Sequence, residues 1–211
     1  MSIINLILVI IAGYLLGSIP SAVWAGKIFH GIDIRKYGSG NAGATNVIRI
    51  LGWKTGIPVL VIDIAKGWLA ASLPLFLKFA GNGSNEIITL QILGGIAAIA
   101  GHLFPLFAGF KGGKGVGTSV GVLLALNPLL TLSCLTIFMV VLLITGYVSL
   151  SSISFAIVFP LLLFTVFKIP SAVFKIFSIL IAALIIFTHR TNIKRLLKGE
   201  ESKFLNLKKK N

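Results

Sequence analysis

Long apolar stretches separated by short polar segments occupy most of the chain. They lie at residues 3–25, 55–77, 87–107, 115–146, 148–167 and 171–188. The stretch at 115–146 is longer than the roughly 17–25 residues that cross a bilayer as one helix. It contains Asn127-Pro128, and proline disfavours a helical residue before it and lacks the N–H of a helix ladder. The pattern therefore predicts an all-α bundle of seven transmembrane helices, the fourth of them short, in one domain over residues 1–211.

Composition supports a membrane protein. Hydrophobic residues make up 56% of the chain and charged residues 11%, whereas a soluble domain carries roughly 25% charged residues. A secreted domain, a cytosolic enzyme and a disordered chain are therefore excluded. The one cysteine, Cys134, excludes an intrachain disulfide and a cysteine-ligated metal site. We expect neither a metal nor a cofactor.

The charge balance orients the predicted bundle. Lys and Arg total 19 against five acidic residues, a net charge of +14, and most basic residues lie between apolar stretches or in the tail. With seven spans, most of them share one face, which the positive-inside rule places in the cytoplasm together with the carboxyl terminus. The amino terminus is then outside. We expect anionic lipid headgroups as the neighbours of these charges, and no nucleic acid, because stacking aromatics are not interleaved with them.

The first polar segment, residues 33–49, is rich in glycine and small polar residues. Its glycines allow a curved backbone whose N–H groups form an anion-binding nest. Arg49 adds a planar fork suited to phosphate. The candidate ligands here are Ser39, Gly40, Asn41, Asn46 and Arg49. The alternative is a flexible loop whose arginine meets lipid headgroups.

The second polar segment, residues 101–118, combines glycines with two lysines just before a predicted helix. Backbone amides, a helix N-terminus and ammonium groups all favour anions. The candidates are Lys111, Gly112, Gly113 and Lys114. The spacing is not that of a nucleotide-binding P-loop, because Gly115 follows Lys114. The alternative is a hinge with two lipid-facing lysines.

The third polar segment, residues 189–200, ends the last apolar stretch. His189 and Asn192 share a helix face if the helix continues through them. Lys194, Arg195 and Lys198 fit the basic flank of a final span instead. Two further polar features remain open. Asp63 and Lys66 lie inside a span and are expected to neutralise each other, and the serines from Ser149 onward cap a helix or line the site.

These segments together carry a family resemblance. The motifs are Gly17-Ser18-Ile19-Pro20-Ser21, Gly38-Ser39-Gly40-Asn41 with Gly43-Ala44-Thr45-Asn46, Gly101-His102 with Phe104-Pro105, Phe110-Lys111-Gly112-Gly113-Lys114-Gly115, and His189-Arg190-Thr191-Asn192-Ile193. In this order they resemble the bacterial acyl-phosphate:glycerol-3-phosphate acyltransferases, an integral membrane family, over nearly the whole chain.

The resemblance implies an enzyme of phospholipid biosynthesis. Such an enzyme transfers a fatty acyl group from acyl phosphate to the 1-hydroxyl of glycerol 3-phosphate, and releases lysophosphatidic acid and inorganic phosphate. Its partners would be these two substrates and the bilayer of the bacterial inner membrane, with the site on the cytoplasmic face and no obligate protein partner. The resemblance implies catalytic roles for Ser39, Lys114, His189 and Asn192. Substrate-binding roles fall to Arg49, Gly40, Asn41, Asn46, Lys111, Gly112, Gly113 and Ser149.

Two other classes compete with this interpretation. A transporter of phosphorylated metabolites also uses glycine breaks beside basic residues, but no inverted repeat is visible and the polar segments all face one side. A lipid phosphatase is disfavoured because no paired nucleophile and acid motif appears. The proton acceptor also stays open between His189 and a substrate phosphate.

Overall fold

The computed structural model describes residues 2–79 and 85–204, and every regular element in these residues is helical. The α-helices are α1 (Ile3–Gly17), α2 (Ser21–His30), α3 (Ala44–Leu51), α4 (Trp53–Phe76), α5 (Asn85–Leu103), α6 (Val116–Leu126), α7 (Pro128–Thr145), α8 (Val148–Thr165), α9 (Ala172–Thr188) and α10 (Arg190–Leu197). Two short 3-10 helices cover Ile34–Lys36 and Leu106–Ala108. The all-α prediction is confirmed for the described part of the chain.

The predicted break at Asn127-Pro128 is confirmed. Asn127 is extended, with φ −154° and ψ 94°, and Pro128 is the first residue of α7. Proline suits that position because the first turn of a helix does not use its N–H groups. The stretch at 115–146 is therefore two helices, as the sequence predicted.

Two local features differ from the sequence interpretation. The first apolar stretch was predicted as one span, and Ile3–His30 does form one candidate span. Its helix is nevertheless interrupted between α1 and α2, at the segment ending in Pro20. The polar region that follows was expected to be a loop, but it contains α3. This helix is amphipathic and buries Val47 and Ile48 against the rest of the protein, so packing of one apolar face outweighs its polar composition.

Five segments of the described residues are long and apolar enough to cross a membrane. They are Ile3–His30, Trp53–Phe76, Asn85–Ala108, Pro128–Thr145 and Val148–Thr165. The pair α9 and α10 qualifies as a sixth only when both helices are taken together, although they meet at an angle of 58°. At 11 residues, α6 is about 16 Å long, and a hydrocarbon core is about 30 Å thick. The protein is thus a multi-pass helical membrane protein, and the seventh span stays a prediction.

The chain divides into two compact units, Met1–Asn127 and Pro128–Asn211. In the first unit α4 packs against α1, α5 and α6, and α3 lies on α4. Small residues permit close approach: a Cβ on Gly13 of α1 would lie 2.6 Å from the carbonyl oxygen of Gly94 in α5. This packing brings the loops after α2 and after α5 together.

In the second unit α8 packs against both α7 and α9, and α10 contacts α8 and α9. Phe155, Phe159 and Leu163 of α8 are fully buried, and the rings of Phe159 and Phe174 lie 6.1 Å apart. The single domain predicted for residues 1–211 stays a prediction, because compact units of this kind need not fold independently.

Candidate functional site

Asn46 organises the first polar segment from within. Its side chain is buried, and its Oδ1 accepts the backbone N–H of Ser39 at 3.0 Å. Its Nδ2 donates to three carbonyl oxygens, those of Ile34, Tyr37 and Asn41, at 3.0–3.2 Å. The sequence predicted Asn46 as a substrate ligand, but these four contacts use the amide to shape the loop.

The loop around Ser39 is curved by glycine. Gly38 and Gly40 have φ values of 60° and 71°, in the left-handed region that favours glycine. Ser39 and Gly40 are exposed, and Asn41 is partly exposed. These predicted ligands therefore lie on the surface, while Asn46 fixes the backbone beneath them.

Arg35 joins the first polar segment to the second. Its Nη1 donates to the carbonyl oxygens of Ala108 at 2.7 Å and Lys111 at 3.3 Å. Its Nε and Nη2 make a two-pronged contact with the Asp33 carboxylate, at 2.9 and 2.7 Å. The Arg35 hydrogen bond lowers the pKa of Asp33 to about 2. The sequence did not indicate this bridging role of Arg35.

The second polar segment turns back onto the end of α5. The N–H of Gly112 donates to the carbonyl oxygen of Leu103 at 3.1 Å, and that of Gly113 to His102 at 3.2 Å. Gly115, with φ 80°, is the N-cap residue directly before α6. Lys111 is exposed and Lys114 is partly buried just before the helix N-terminus, where backbone N–H groups favour an anion.

A buried polar network lies beneath these segments. The Oδ1 atom of Asp63 accepts from Ser21 Oγ at 2.7 Å and from Lys66 Nζ at 2.8 Å, and it lies 3.5 Å from His102 Nδ1. Lys66 also donates to the carbonyl oxygen of Ile19 at 2.9 Å. The pairing of Asp63 with Lys66 is confirmed, but the sequence did not indicate Ser21 or His102 as further partners.

A small pocket lies between this network and the two polar segments. Its lining includes Ser21, Lys66, His102 and Lys111. Its volume of about 10 Å³ suits a water-sized group. A phosphate ester is larger, so the exposed loops are the better candidates for substrate contact.

In the second unit, the carboxylate of Glu201 accepts hydrogen bonds from three polar side chains. Its Oε1 accepts from Ser149 Oγ at 2.8 Å and from Asn192 Nδ2 at 2.6 Å, and its Oε2 from Arg195 Nε at 2.7 Å. Burial alone would raise the pKa of Glu201, but these three hydrogen bonds outweigh it and lower the pKa. Ser149 and Asn192 were predicted from the sequence, whereas the carboxylate that positions them was not.

His189 stands at the junction of two helices. It caps the end of α9, and α10 begins at Arg190 with a bend of 58°. The continuous helix on which His189 and Asn192 would share a face is therefore not formed. The ring of His189 is buried, and its Nδ1 lies 2.8 Å from the carbonyl oxygen of Ile185. A carbonyl only accepts, so Nδ1 carries the proton and Nε2 of the neutral ring is an acceptor.

The predicted residues thus fall into two groups. In the first unit, hydrogen bonds from Arg35 link the first polar segment to the second. The first segment bears Ser39, Gly40, Asn41 and Asn46, and the second bears Lys111, Gly112, Gly113 and Lys114. Arg49 lies in the last turn of α3, three residues after Asn46. In the second unit, Ser149 and Asn192 meet at Glu201, and His189 lies at the α9–α10 bend.

Apolar spanning helices combined with two hydrogen-bonded, glycine-rich basic loops define a multi-pass membrane protein suited to anionic ligands. A sequence profile described as glycerol-3-phosphate acyltransferase matches residues 7–199. The chain belongs to this family.

Curated relatives agree with that assignment. The glycerol-3-phosphate acyltransferase of Chlorobaculum tepidum is 44% identical over 92% of this chain and 94% of its own length. That of Salinibacter ruber is 42% identical, over 94% of this chain and 92% of its own. Each match covers more than nine tenths of both chains, so the similarity extends over most of this chain.

Solved structures support the same conclusion. PlsY (YgiH), an integral membrane glycerol 3-phosphate acyltransferase, is similar to this chain in its glycerol 3-phosphate form, with a TM-score of 0.83 and 40% identity over 94% of each chain. Its lysophosphatidic acid form gives a TM-score of 0.82 and 39% identity over 96% of this chain and 97% of that one. The resemblance stated from the motifs is confirmed at the level of the family.

Proposed function

We propose that this protein transfers a fatty acyl group from acyl phosphate to the 1-hydroxyl of glycerol 3-phosphate. The products are lysophosphatidic acid and inorganic phosphate, and the reaction serves phospholipid biosynthesis. The observation that carries the proposal is the link between two glycine-rich basic loops by Arg35, through the carbonyl oxygens of Ala108 and Lys111. The family's activity and the glycerol 3-phosphate and lysophosphatidic acid forms of PlsY support it.

Both proposed substrates carry a phosphate, which suits this surface. The hydroxyl oxygen of glycerol 3-phosphate attacks the carbonyl carbon of the acyl phosphate, a C–O ester bond forms, and the carbon–oxygen bond to phosphate breaks. The hydroxyl proton passes to a phosphate oxygen, so the leaving group departs as inorganic phosphate. Because the donor is already activated, positioning and charge stabilisation account for most of the required catalysis.

The first unit supplies the phosphate contacts in this proposal. Lys114 and Arg49 hold phosphate oxygens, with Lys111 in a supporting role, because charged donors bind phosphate more strongly than neutral ones. Ser39 adds its hydroxyl group. Gly40, Gly112 and Gly113 contribute backbone without side chains that a phosphate can approach closely, because their N–H groups already donate to the carbonyl oxygens of Tyr37, Leu103 and His102. Asn46 holds the first loop in shape, and Asn41 lies in that loop.

In the second unit, the proposed site residues are His189, Asn192 and Ser149. Asn192 Nδ2 and Ser149 Oγ donate to Glu201, so the Asn192 carbonyl group and the Ser149 hydroxyl oxygen are oriented before substrate binds. His189 donates from Nδ1 to Ile185. Its Nε2 therefore binds a phosphate as a donor only when the ring is protonated. We assign His189 this anchoring role, and a substrate phosphate accepts the reaction's proton.

The proposed topology has seven spans in the bacterial inner membrane, with α6 as a short span. The amino terminus is outside, and the carboxyl terminus and both loops of the first unit face the cytoplasm. Cysteines replacing Gly31 and Lys198 in a Cys134→Ser background should resist an impermeant thiol reagent in intact cells, whereas one replacing Lys168 should react. Labelling of Gly31 and Lys198 from opposite sides would contradict seven spans.

The direct test of the activity uses purified protein in detergent with acyl phosphate and glycerol 3-phosphate. Lysophosphatidic acid and inorganic phosphate should appear in equal amounts without a nucleotide. Acyl-CoA serves as the control donor and should give no product. Failure to form lysophosphatidic acid, with uptake of glycerol 3-phosphate into sealed vesicles, would instead support a transporter.

A further inference from the structure

The imidazole of His102 lies between a buried carboxylate and the second polar segment. Only 7% of His102 is exposed, and its Nδ1 is 3.5 Å from Oδ1 of Asp63. On the other side, a Cβ atom on Gly113 would overlap with the ring's Nε2. The ring therefore fills the space between α4 and the glycine-rich loop.

The backbone of the same region also holds the loop. The carbonyl oxygen of His102 accepts the N–H of Gly113 at 3.2 Å, and that of Leu103 accepts the N–H of Gly112 at 3.1 Å. These two glycines lie between Lys111 and Lys114. The ring and backbone contacts at the end of α5 therefore fix the position of the loop that carries Lys111 and Lys114.

The Asp63 end of this arrangement is firmly anchored. Its Oδ1 accepts from Ser21 at 2.7 Å and from Lys66 at 2.8 Å, and Lys66 is also bonded to the carbonyl oxygen of Ile19. Lys66 alone neutralises the carboxylate. Compensation of buried charge therefore does not account for a histidine at this position.

We infer that His102 is a positioning residue: anchored at Asp63, it supports the Gly112-Gly113 turn and so fixes where Lys111 and Lys114 meet a phosphate. This inference rests on the proposed function, because that function assigns the loop to phosphate binding. The planar ring acts as a spacer of fixed thickness. Glycine at position 113 follows from it, because any side chain there would displace the loop from the ring.

Hydrogen–deuterium exchange tests the structural part without any substrate. His102→Asn keeps a nitrogen donor near the Nδ1 position, so Asp63 retains its contact, but the ring edge beneath Gly113 is lost. Exchange across residues 109–115 should become about tenfold faster, while the melting temperature in detergent stays near that of the wild type. The matched control is Gln91→Ala, a buried polar residue of the same helix about 16 Å away, which should leave loop exchange unchanged.

Steady-state kinetics test whether His102 affects substrate binding by positioning Lys114. His102→Asn should raise the KM for glycerol 3-phosphate or acyl phosphate about tenfold with a smaller change in kcat, as expected for one charged contact out of position. In a Lys114→Ala background the same change should have little further effect, because positioning an absent lysine is of no use. Independent effects would multiply, to a combined loss of about a hundred- to a thousandfold in kcat/KM.

Two further variants keep the test decisive if His102→Asn does not fold. His102→Gln keeps a polar group near the ring's Nε2, and Gly113→Ala displaces the loop from its other side while leaving the His102–Asp63 contact in place. Gly113→Ala should reproduce the KM effect.

Unfolding of both His102 variants, unchanged loop exchange, or multiplicative kinetics would each overturn the positioning role. If the wild-type protein formed no product, the proposed function would fail, whereas the exchange result would still decide whether His102 supports the loop.

Discussion

The side-chain Oδ1 of Asn46 accepts the backbone N–H of Ser39 at 3.0 Å, across seven residues of the first polar segment. This bond joins a buried side chain on α3 to an exposed loop that we propose contacts phosphate. Asn46 thereby shapes the proposed substrate-binding loop without lying on its surface. Its effect on the reaction should therefore be indirect.

Substitution of Asn46 tests that indirect role. Asn46→Asp replaces the Nδ2 donor with a carboxylate oxygen facing three carbonyl oxygens, which should destabilise the loop. Each unsatisfied buried group costs about 1–3 kcal/mol. Exchange across residues 37–42 should rise in the absence of substrate, with a large loss of activity. The exposed Asn85→Asp is the matched control. Lost activity with wild-type loop exchange would identify Asn46 as a direct ligand instead.

Removal of the proposed charged phosphate contacts should be selective. Lys114→Ala and Arg49→Ala each remove a charged hydrogen bond, worth about 1.5–3 kcal/mol, so kcat/KM should fall about ten- to a hundredfold. Lys194→Ala in α10 serves as the control, because it removes the same charge from the basic flank. Steady-state rates at fixed ionic strength provide the measurement. If all three changes had equal effects, surface charge in general would explain the activity.

The Asp33–Arg35 pair should make the first loop sensitive to acid. The pKa of Asp33 is depressed from 3.8 to about 2 by Arg35, so the pair's contribution to stability is complete above about pH 5. It is lost as the pH falls from about 4 towards 2. The difference in melting temperature between the wild type and Asp33→Asn should therefore be constant at neutral pH and shrink below pH 4. Glu200→Gln, at an exposed carboxylate, is the control. A difference that grew as the pH fell would contradict this pairing.

The pH profile of His189 separates its two possible roles. Since Nδ1 donates to Ile185, a neutral ring presents an acceptor at Nε2 and a protonated ring presents a donor. A base would make activity rise as the pH passes upward through the pKa of the histidine, whereas an anchor would make it fall. The ratio of wild-type to His189→Gln rates isolates this effect from titration of the substrates.

We expect the anchoring outcome for His189. Glutamine donates a hydrogen bond at every pH but takes up no proton, so His189→Gln should keep far more activity than His189→Ala, and the rate ratio should fall with pH. General-base catalysis contributes roughly 10²–10⁴-fold. A ratio that rose with pH, with Gln as inactive as Ala, would make His189 the base.

The sequence predicted the helices well because their signals are local. Apolar runs set their lengths, and Pro128 marks the boundary between α6 and α7. The division of the first stretch at Pro20 was missed because continuous apolar sequence outweighed one proline. Helix α3 was missed because its apolar face is only a few residues wide, and its burial depends on tertiary packing.

Candidate residues were found where a motif marks them, but their partners were not. Asp63 and Lys66 are neighbours on one helix, so their pairing could be predicted from spacing. His102 contacts Asp63, which lies 39 residues earlier in the sequence, and Arg35 contacts Ala108, which lies 73 residues later. Such contacts depend on how the helices pack, which residue spacing does not encode. For the same reason the sequence could not show that the amide of Asn46 turns inward.

Acyl phosphate labelled with ¹⁸O at the oxygen that bridges carbon and phosphorus tests the central claim most directly. Attack by the glycerol 3-phosphate hydroxyl on the carbonyl carbon breaks the bond between that carbon and the labelled oxygen. Mass spectrometry should therefore find the label in inorganic phosphate, one labelled phosphate for each lysophosphatidic acid formed, with none in the new ester. Label retained in the acyl product, or labelled phosphate released without lysophosphatidic acid, would contradict direct acyl transfer to glycerol 3-phosphate.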